Sequence, residues 1–250
     1  MRWEGIHLQK MPNVVGIRAA LGTAIHAGAA AFDAGKLLDT PISIDAAAGV
    51  MVDTLRDPGN EYDANRDDLR LADAERIGIA LTTKYCAEMA PKFDYVAVEM
   101  ATKPLDIDCG GGVVIRLTGT MDRARVAKST GGVSIIDLKS GSAAVQKGEA
   151  VTKGHGPQIG TYELLFEHTT GEEITAPATI IGLKTKGTPE VATGEIRHAK
   201  RVMVGDESGP GLIDFAAQMF RTGLFYPNSK SLLCSENYCP RYKTCHFHAN

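Results

Sequence analysis

Apolar residues first recur at helical spacing at Leu21, Ile25, Gly28 and Phe32, which predicts a helix from Arg18 with one buried stripe. Residues 1–17 show no such period, and the Met11-Pro12 step breaks any helix there. Thr40-Pro41 is expected to open a second helix running to about Leu55, with Pro41 in the first turn, where proline is tolerated. Pro58, Gly59 and several acids make the Asp57–Asp68 stretch a solvated loop. A long third helix carries Leu71, Ala74, Gly78, Leu81, Tyr85 and Met89 on one stripe and stops at Pro91. Cys86 lies just off that stripe and is read as a small buried hydrophobe.

The period then changes. Phe93–Met100, Val113–Thr118, Met121–Val126 and Val133–Leu138 are short β-rich runs divided by turn chemistry, and together they predict a sheet. Glu99, on the first run, is assigned to the scaffold rather than to a cleft. Gly110-Gly111-Gly112 precedes a strand instead of joining a strand to a helix, so it is a turn and not a phosphate-cradling loop. Ser140–Gly156, with Lys147, Lys153 and His155, reads as a flexible stretch, either a loop over the cleft or a solvated connection. Pro157 begins a helix to about His168. Ala178–Thr185 and Val191–His198 form a hairpin around Gly187-Thr188-Pro189, and Leu212–Arg221 is a final amphipathic helix with Leu212, Phe215 and Met219 as its apolar stripe. The sum is an α/β architecture, a mixed central sheet flanked by helices.

Composition adds bounds. The chain has 250 residues, 44% hydrophobic and 23% charged, which suits one globular domain with a sizeable core. Residues 1–230 are taken as that domain, and residues 231–250 as a cysteine-rich tail packed on it. No apolar run approaches the ~20 residues of a membrane span, and the N-terminus lacks a signal-peptide layout, so a cytoplasmic protein is the expectation. The net charge of −3 gives no global basic footprint for nucleic acid and counts against a tight, nonspecific DNA binder.

Candidate chemistry centres on Val133–Leu138. Asp137 and Lys139 are two apart, so a strand projects both from one face while Leu138 points into the core. An exposed pair of this kind contributes little to stability, but its neighbours change the picture. Asp122 ends the run Leu117-Thr118-Gly119-Thr120-Met121-Asp122, Gln158 and Tyr162 share a helical face, and Gly22 sits one turn before His26, leaving room beside the imidazole. Two acids, a histidine and a lysine suit a divalent-metal site for phosphodiester hydrolysis.

In order and spacing, Gly22–His26, Gly119–Asp122, Asp137–Lys139 and Gln158–Tyr162 match GxxxH, GxxD, (D/E)xK and QxxxY. The chain thereby resembles the PD-(D/E)xK nuclease superfamily, specifically its RecB-like exonuclease branch, from about Arg18 to the C-terminus. The resemblance implies a restriction-endonuclease-like core and a DNA exonuclease dependent on Mg²⁺ or Mn²⁺. It implies that His26, Asp122, Asp137 and the Leu138 carbonyl hold metal. Lys139 would position the attacking water, and Gln158 and Tyr162 would orient the strand or the lysine. DNA, single-stranded or with free ends, is the implied partner, and recombination or CRISPR-adaptation proteins are the implied setting. The alternatives are a structure-specific endonuclease on the same fold and a catalytically silent DNA-binding subunit.

Cys234, Cys239 and Cys245 crowd the tail of a chain with five cysteines, which favours thiolate–metal ligation over disulfides. Several RecB-like exonucleases carry a [4Fe–4S] cluster on such a tail, with a fourth cysteine ahead of the GxxxH helix. No cysteine precedes His26 here. Either the chain as given begins after that cysteine, or Cys86, Cys109, His246 or His248 substitutes, or the cluster is lost. Zinc is the rival metal.

Overall fold

The computed structural model describes residues 16–57, 68–126, 131–224, 228, 231, 234–236, 238–245 and 247. Its centre is a five-stranded sheet of β1 (Asp94–Ala101), β4 (Thr120–Val126), β5 (Val133–Gly141), β8 (Ala178–Lys184) and β9 (Glu190–Ile196), in the order β1-β4-β5-β8-β9. Only β5 and β8 run parallel; the other neighbours are antiparallel. The sheet is mixed and has helices on both faces, the restriction-endonuclease-like arrangement.

The period-2 alternation of the central strands separates two cores. Ile136 and Leu138 of β5 and Ile181 and Leu183 of β8 pack against α1 (Ile17–Leu37), α2 (Ile44–Arg56) and α3 (Leu71–Glu88) through Leu21, Ile25, Met51, Leu81 and Tyr85. Ile135 and Ile180 face the other way, onto Ile159 and Phe166 of α4 (Gly156–Thr170). Because both faces are covered, β5 is buried without interruption from Ser134 to Leu138, as expected of a strand inside a sheet with parallel pairing. Asp137 sits in that run and is fully buried.

Leu21, Ile25, Gly28 and Phe32 of α1 are all buried, and so are Ala74, Gly78, Leu81, Tyr85 and Met89 of the third helix, with Leu71 packed at the edge of the same core. Four expectations need correction. Helix α2 starts at Ile44 rather than at Pro41, because the Ser43 hydroxyl accepts the Ala46 N–H at 3.1 Å and so satisfies an orphan donor of the first turn. Val114–Leu117 (β3) pairs with Leu105–Asp108 (β2), and this hairpin stands outside the central sheet. Its turn uses left-handed backbone at Gly110, Gly111 and Gly112, which glycine alone adopts without strain.

The connection after β5 holds a small hairpin, β6 (Val145–Gln146) with β7 (Glu149–Ala150). Helix α5 (Ala199–Val204) and the short pair β10 (Gly205–Asp206) and β11 (Gly209–Pro210) precede α6 (Leu212–Thr222). On α6 the buried residues are Ile213 and Ala217, whereas Leu212 and Phe215 of the expected stripe are exposed. The Asp57–Asp68 loop falls largely outside the described residues, as do residues 1–15. Among the described residues no helix is long and apolar enough to cross a membrane.

Candidate active site

The site forms where β4 and β5 part. Their ladder ends with Arg123 opposite Ile136, and the same register sets Asp122 opposite Asp137. Beyond that pair a side chain replaces the ladder, and the Asp122 carboxylate accepts the Leu138 N–H at 2.8 Å. On the other edge of β4, Val98 faces Arg123 and Met100 faces Met121, which sets Glu99 of β1 opposite Asp122. Glu99, Asp122 and Asp137 thus stand in one row across three adjacent strands, and side chains in such a row share a face. Glu99 also holds left-handed backbone, at φ 46°, a conformation that costs a non-glycine residue roughly 1–3 kcal/mol.

Helix α1 brings His26 over this row, with Nδ1 3.5 Å from Asp122 Oδ2, and the ring also hydrogen-bonds the Leu138 backbone. From the other side α4 supplies Gln158 and Tyr162, whose side chains are joined by a 3.0 Å hydrogen bond from Gln158 Nε2 to the phenol oxygen. Burial raises the Tyr162 phenol above its usual range, and the charges of nearby Asp137, Asp122 and Glu99 add to the rise. The lysine ammonium of Lys139 forms an ion pair with Asp137. All four sequence motifs therefore converge on one end of the sheet.

The motif glycines have separate reasons. A Cβ on Gly119 would lie 3.2 Å from Cε1 of Tyr162, so this glycine lets the phenol ring settle beside Asp122. A Cβ on Gly22 would stand 2.8 Å from Oγ of Ser140. The room made there serves the close approach of α1 to β5 rather than the imidazole.

Electrostatics differ sharply along the row. Burial pushes the Asp137 carboxyl up to about 6; Lys139 pulls it down, and the charge on Asp122 adds to the rise. Apart from the Lys139 ammonium, neither Asp137 oxygen has a hydrogen-bond partner, although a buried carboxylate ordinarily collects several. Burial likewise raises Glu99, assisted by Asp122. His26 is held below its usual range by burial, with Asp122 acting against that shift and Arg123 and Lys139 reinforcing it. A neutral imidazole is the form that ligates metal.

Directly beneath lies a second polar group that the sequence did not reveal. Arg123, adjacent to Asp122, is fully buried, and its Nε donates to Asp33 Oδ2 of α1 at 2.8 Å. The Tyr85 hydroxyl donates to the same oxygen at 2.5 Å and meets the Tyr95 hydroxyl at 2.9 Å. Arg123 Nη1 stands 3.6 Å from Glu99 Oε1, linking this group to the cleft. Period-2 alternation of β4 gives Arg123 a buried face, but nothing in the sequence signals that its partner lies on α1. Glu99 is the other omission: its assignment to the scaffold is at odds with its place opposite Asp122. Burial keeps His155, at the start of α4, below its usual range, and the Lys139 charge reinforces the shift.

These contacts come from distant stretches of one chain, and the sequence profile of the PD-(D/E)XK nuclease superfamily matches residues 4–246. The chain belongs to that superfamily. Among solved structures it is similar to a crystal structure from Eubacterium rectale designated "Putative exonuclease". That likeness is 14% identical, covers 98% of this chain and 92% of the other, and has a TM-score of 0.45. It is too distant to transfer any residue. No curated protein matches the chain.

The donor set of His26, Asp122, Asp137 and the Leu138 carbonyl is that of a hard divalent cation, and Asp137, with Oδ1 unpartnered and Oδ2 on the Lys139 ammonium alone, supplies the buried demand such a cation would meet. In the present arrangement Asp137 is turned to Lys139. Among the described residues no three His, Cys, Asp or Glu side chains close on a common point. The same holds for the tail, where Cys239 and Cys245 are buried and Cys234 is partly so. As placed, these thiols do not form an iron–sulfur or zinc site; His246 and His248 lie outside the described residues. Cys86 is buried in the helical core and Cys109 lies at the β2–β3 turn, so neither is grouped with the tail thiols.

Proposed function

We propose that this nuclease-superfamily chain is a divalent-metal-dependent DNA exonuclease. The observation that carries the reading is the buried Asp137 carboxylate, in register with Asp122, beside Lys139 and short of hydrogen bonds. The convergence of His26, Gln158 and Tyr162 on the same strands supports the RecB-like assignment within the superfamily. Mg²⁺ or Mn²⁺ held by His26, Asp122, Asp137 and the Leu138 carbonyl would act as a Lewis acid on the phosphate and yield a hydroxide-like water near neutral pH.

The chain's own residues do the rest. Lys139 brings a positive charge to the reacting phosphate and holds the attacking water by hydrogen bonding. Tyr162, fixed by Gln158, closes the α4 side of the cleft and orients either the strand or the Lys139 ammonium. The Leu138 N–H fixes the Asp122 carboxylate, so that its position does not depend on a flexible rotamer. Glu99 adds a carboxylate at the rim of the same row.

End-labelled linear DNA and closed circular DNA, each incubated with Mg²⁺, Mn²⁺ or chelator, test the proposal. Metal-dependent loss of linear DNA with circular DNA intact is expected. Cleavage of the circle would make the chain an endonuclease, and no cleavage of either would remove the catalytic reading.

A further inference from the structure

The connection from β5 to α4 is built onto the sheet beside Lys139. Gly182 of β8 is the neighbour of Lys139 in the parallel ladder, and a Cβ there would lie 2.4 Å from the Ala144 carbonyl oxygen. On β9, a Cβ at Gly194 would lie 2.7 Å from the Ala150 carbonyl oxygen. Both clashes are with backbone, so these two positions stay bare for the connection to lie on β8 and β9. Val151 returns to the same place, its N–H donating to the Ala144 carbonyl at 3.0 Å. The Thr152 carbonyl then accepts the His155 N–H at 3.2 Å, with Gly154 left-handed at φ 91°, a turn that favours glycine at its third position. This turn exposes Lys153 and delivers His155 to the start of α4.

His155 continues the functional face of α4. Its backbone, at φ −90° and ψ −9°, is close to helical, so His155, Gln158 and Tyr162 fall at i, i+3 and i+7 along one stripe. The imidazole is half-buried, lies within reach of the Lys139 charge and makes no capping bond to the helix. Lys153 is exposed, and among the described residues its side chain engages in no hydrogen bond or ion pair. Charge is segregated here: from Lys139 to Tyr162 the chain holds three lysines and a single acid, Glu149 of β7, although acids outnumber bases over the whole chain, 30 to 27. An ammonium and an imidazole donor flanking a cleft of carboxylates suit the sugar-phosphate backbone of a strand that runs on past the reacting phosphate.

We propose that Lys153 and His155 hold the backbone phosphate next to the scissile one, Lys153 as its counter-charge and His155 as a hydrogen-bond donor in line with Gln158 and Tyr162. The inference rests on the nuclease reading and adds to it the path of the strand, along α4 toward its first turn. It makes the β5–α4 connection a wall of the cleft rather than a solvated link.

Fluorescence anisotropy of a labelled single-stranded oligonucleotide of about a dozen nucleotides, in chelator near pH ~8 and over a range of salt, tests it. Lys153→Ala removes one counter-charge, so the slope of log affinity against log salt should fall by about 0.7. A roughly tenfold rise in salt then costs the variant about fivefold less affinity than it costs the wild type. His155→Ala removes a donor that is neutral at this pH and should weaken binding roughly tenfold at an unchanged slope. Lys147→Ala, at the turn of the β6–β7 hairpin and off the α4 stripe, should match the wild type in both. A wild-type slope in Lys153→Ala, wild-type affinity in His155→Ala, or a loss of slope in Lys147→Ala equal to that in Lys153→Ala would overturn the proposal. Cleavage of linear DNA by the wild-type protein in Mg²⁺ is measured alongside: its presence together with unimpaired variants rejects the phosphate contact alone, and its absence rejects the nuclease reading.

Discussion

Two carboxylates, Asp33 and Asp137, are wholly buried beside each other's networks, and burial raises the pKa of both. Their surroundings differ. Asp33 gives one oxygen to two donors, Arg123 Nε and the Tyr85 hydroxyl, and thereby ties α1 to β4. Asp137 has the Lys139 ammonium and no other donor. Both acids are ion-paired and both leave Oδ1 without a partner, but Asp33 Oδ2 collects two donors where Asp137 Oδ2 has the Lys139 ammonium alone. A buried charge without its full complement of partners costs stability, and a site that bears this cost is one where a ligand supplies the missing interactions. This difference in donors is the ground on which we propose Asp137, rather than Asp33, as the acid that meets a ligand.

The largest expected effect tests that separation through activity. Asp137→Asn keeps the shape of the side chain and removes its charge, so DNA cleavage in Mg²⁺ or Mn²⁺ should fall by at least on the order of 10²–10³, the cost of losing one preorganised electrostatic group. The melting temperature of the metal-free protein should not fall. Near-wild-type cleavage would place Asp137 with Asp33 among the scaffold acids.

The converse change acts on stability. Asp33→Ala strands Arg123 in the interior, and breaking a buried pair in this way costs about 3–5 kcal/mol, which corresponds to a drop of roughly 10 °C in a chain of this size. A denaturation curve superimposable on the wild type would show that the pair contributes nothing to the fold.

The pH dependence of stability in chelator follows from Asp137. Its folded pKa of about 6 lies above its ordinary value of 3.8, so the folded state binds the extra proton and stability declines as pH rises between those values. The decline is up to about 3 kcal/mol, at 1.36 kcal/mol per unit. It should be absent from Asp137→Asn; an equal decline in that variant would assign the titration to another group.

Much of the fold was legible because its determinants are local. The α1 stripe Leu21, Ile25, Gly28 and Phe32 follows from periodicity alone, whereas the uninterrupted burial of β5 depends on helices covering both faces of the sheet. His26, Asp122, Asp137, Lys139, Gln158 and Tyr162 could be singled out because each motif is short and sits on one element. Glu99 and the Asp33–Arg123 pair could not, since what defines them is cross-strand register and the approach of α1 to β4, contacts 23 and 90 residues apart in the chain. The α6 stripe failed for a related reason: Leu212 and Phe215 are apolar at helical spacing, but the neighbouring elements meet Ile213 and Ala217 instead.

A smaller effect concerns a thiol that periodicity did place. Burial pushes Cys86 up to about 12, so at neutral pH it should resist alkylation in the folded protein while Cys109 and Cys234 react, and it should label only on unfolding. Mass-spectrometric mapping of the labelled cysteines checks this, and early modification of Cys86 would contradict the packing of α3.

The central proposal is that Asp137, which has only the Lys139 ammonium as a donor, holds a divalent cation. Titration calorimetry with Mn²⁺ on the wild type, Asp137→Asn and Asp33→Asn tests it most directly. Saturable binding by the wild type that is lost in Asp137→Asn and kept in folded Asp33→Asn is the predicted result. Undiminished Mn²⁺ binding by Asp137→Asn would contradict it.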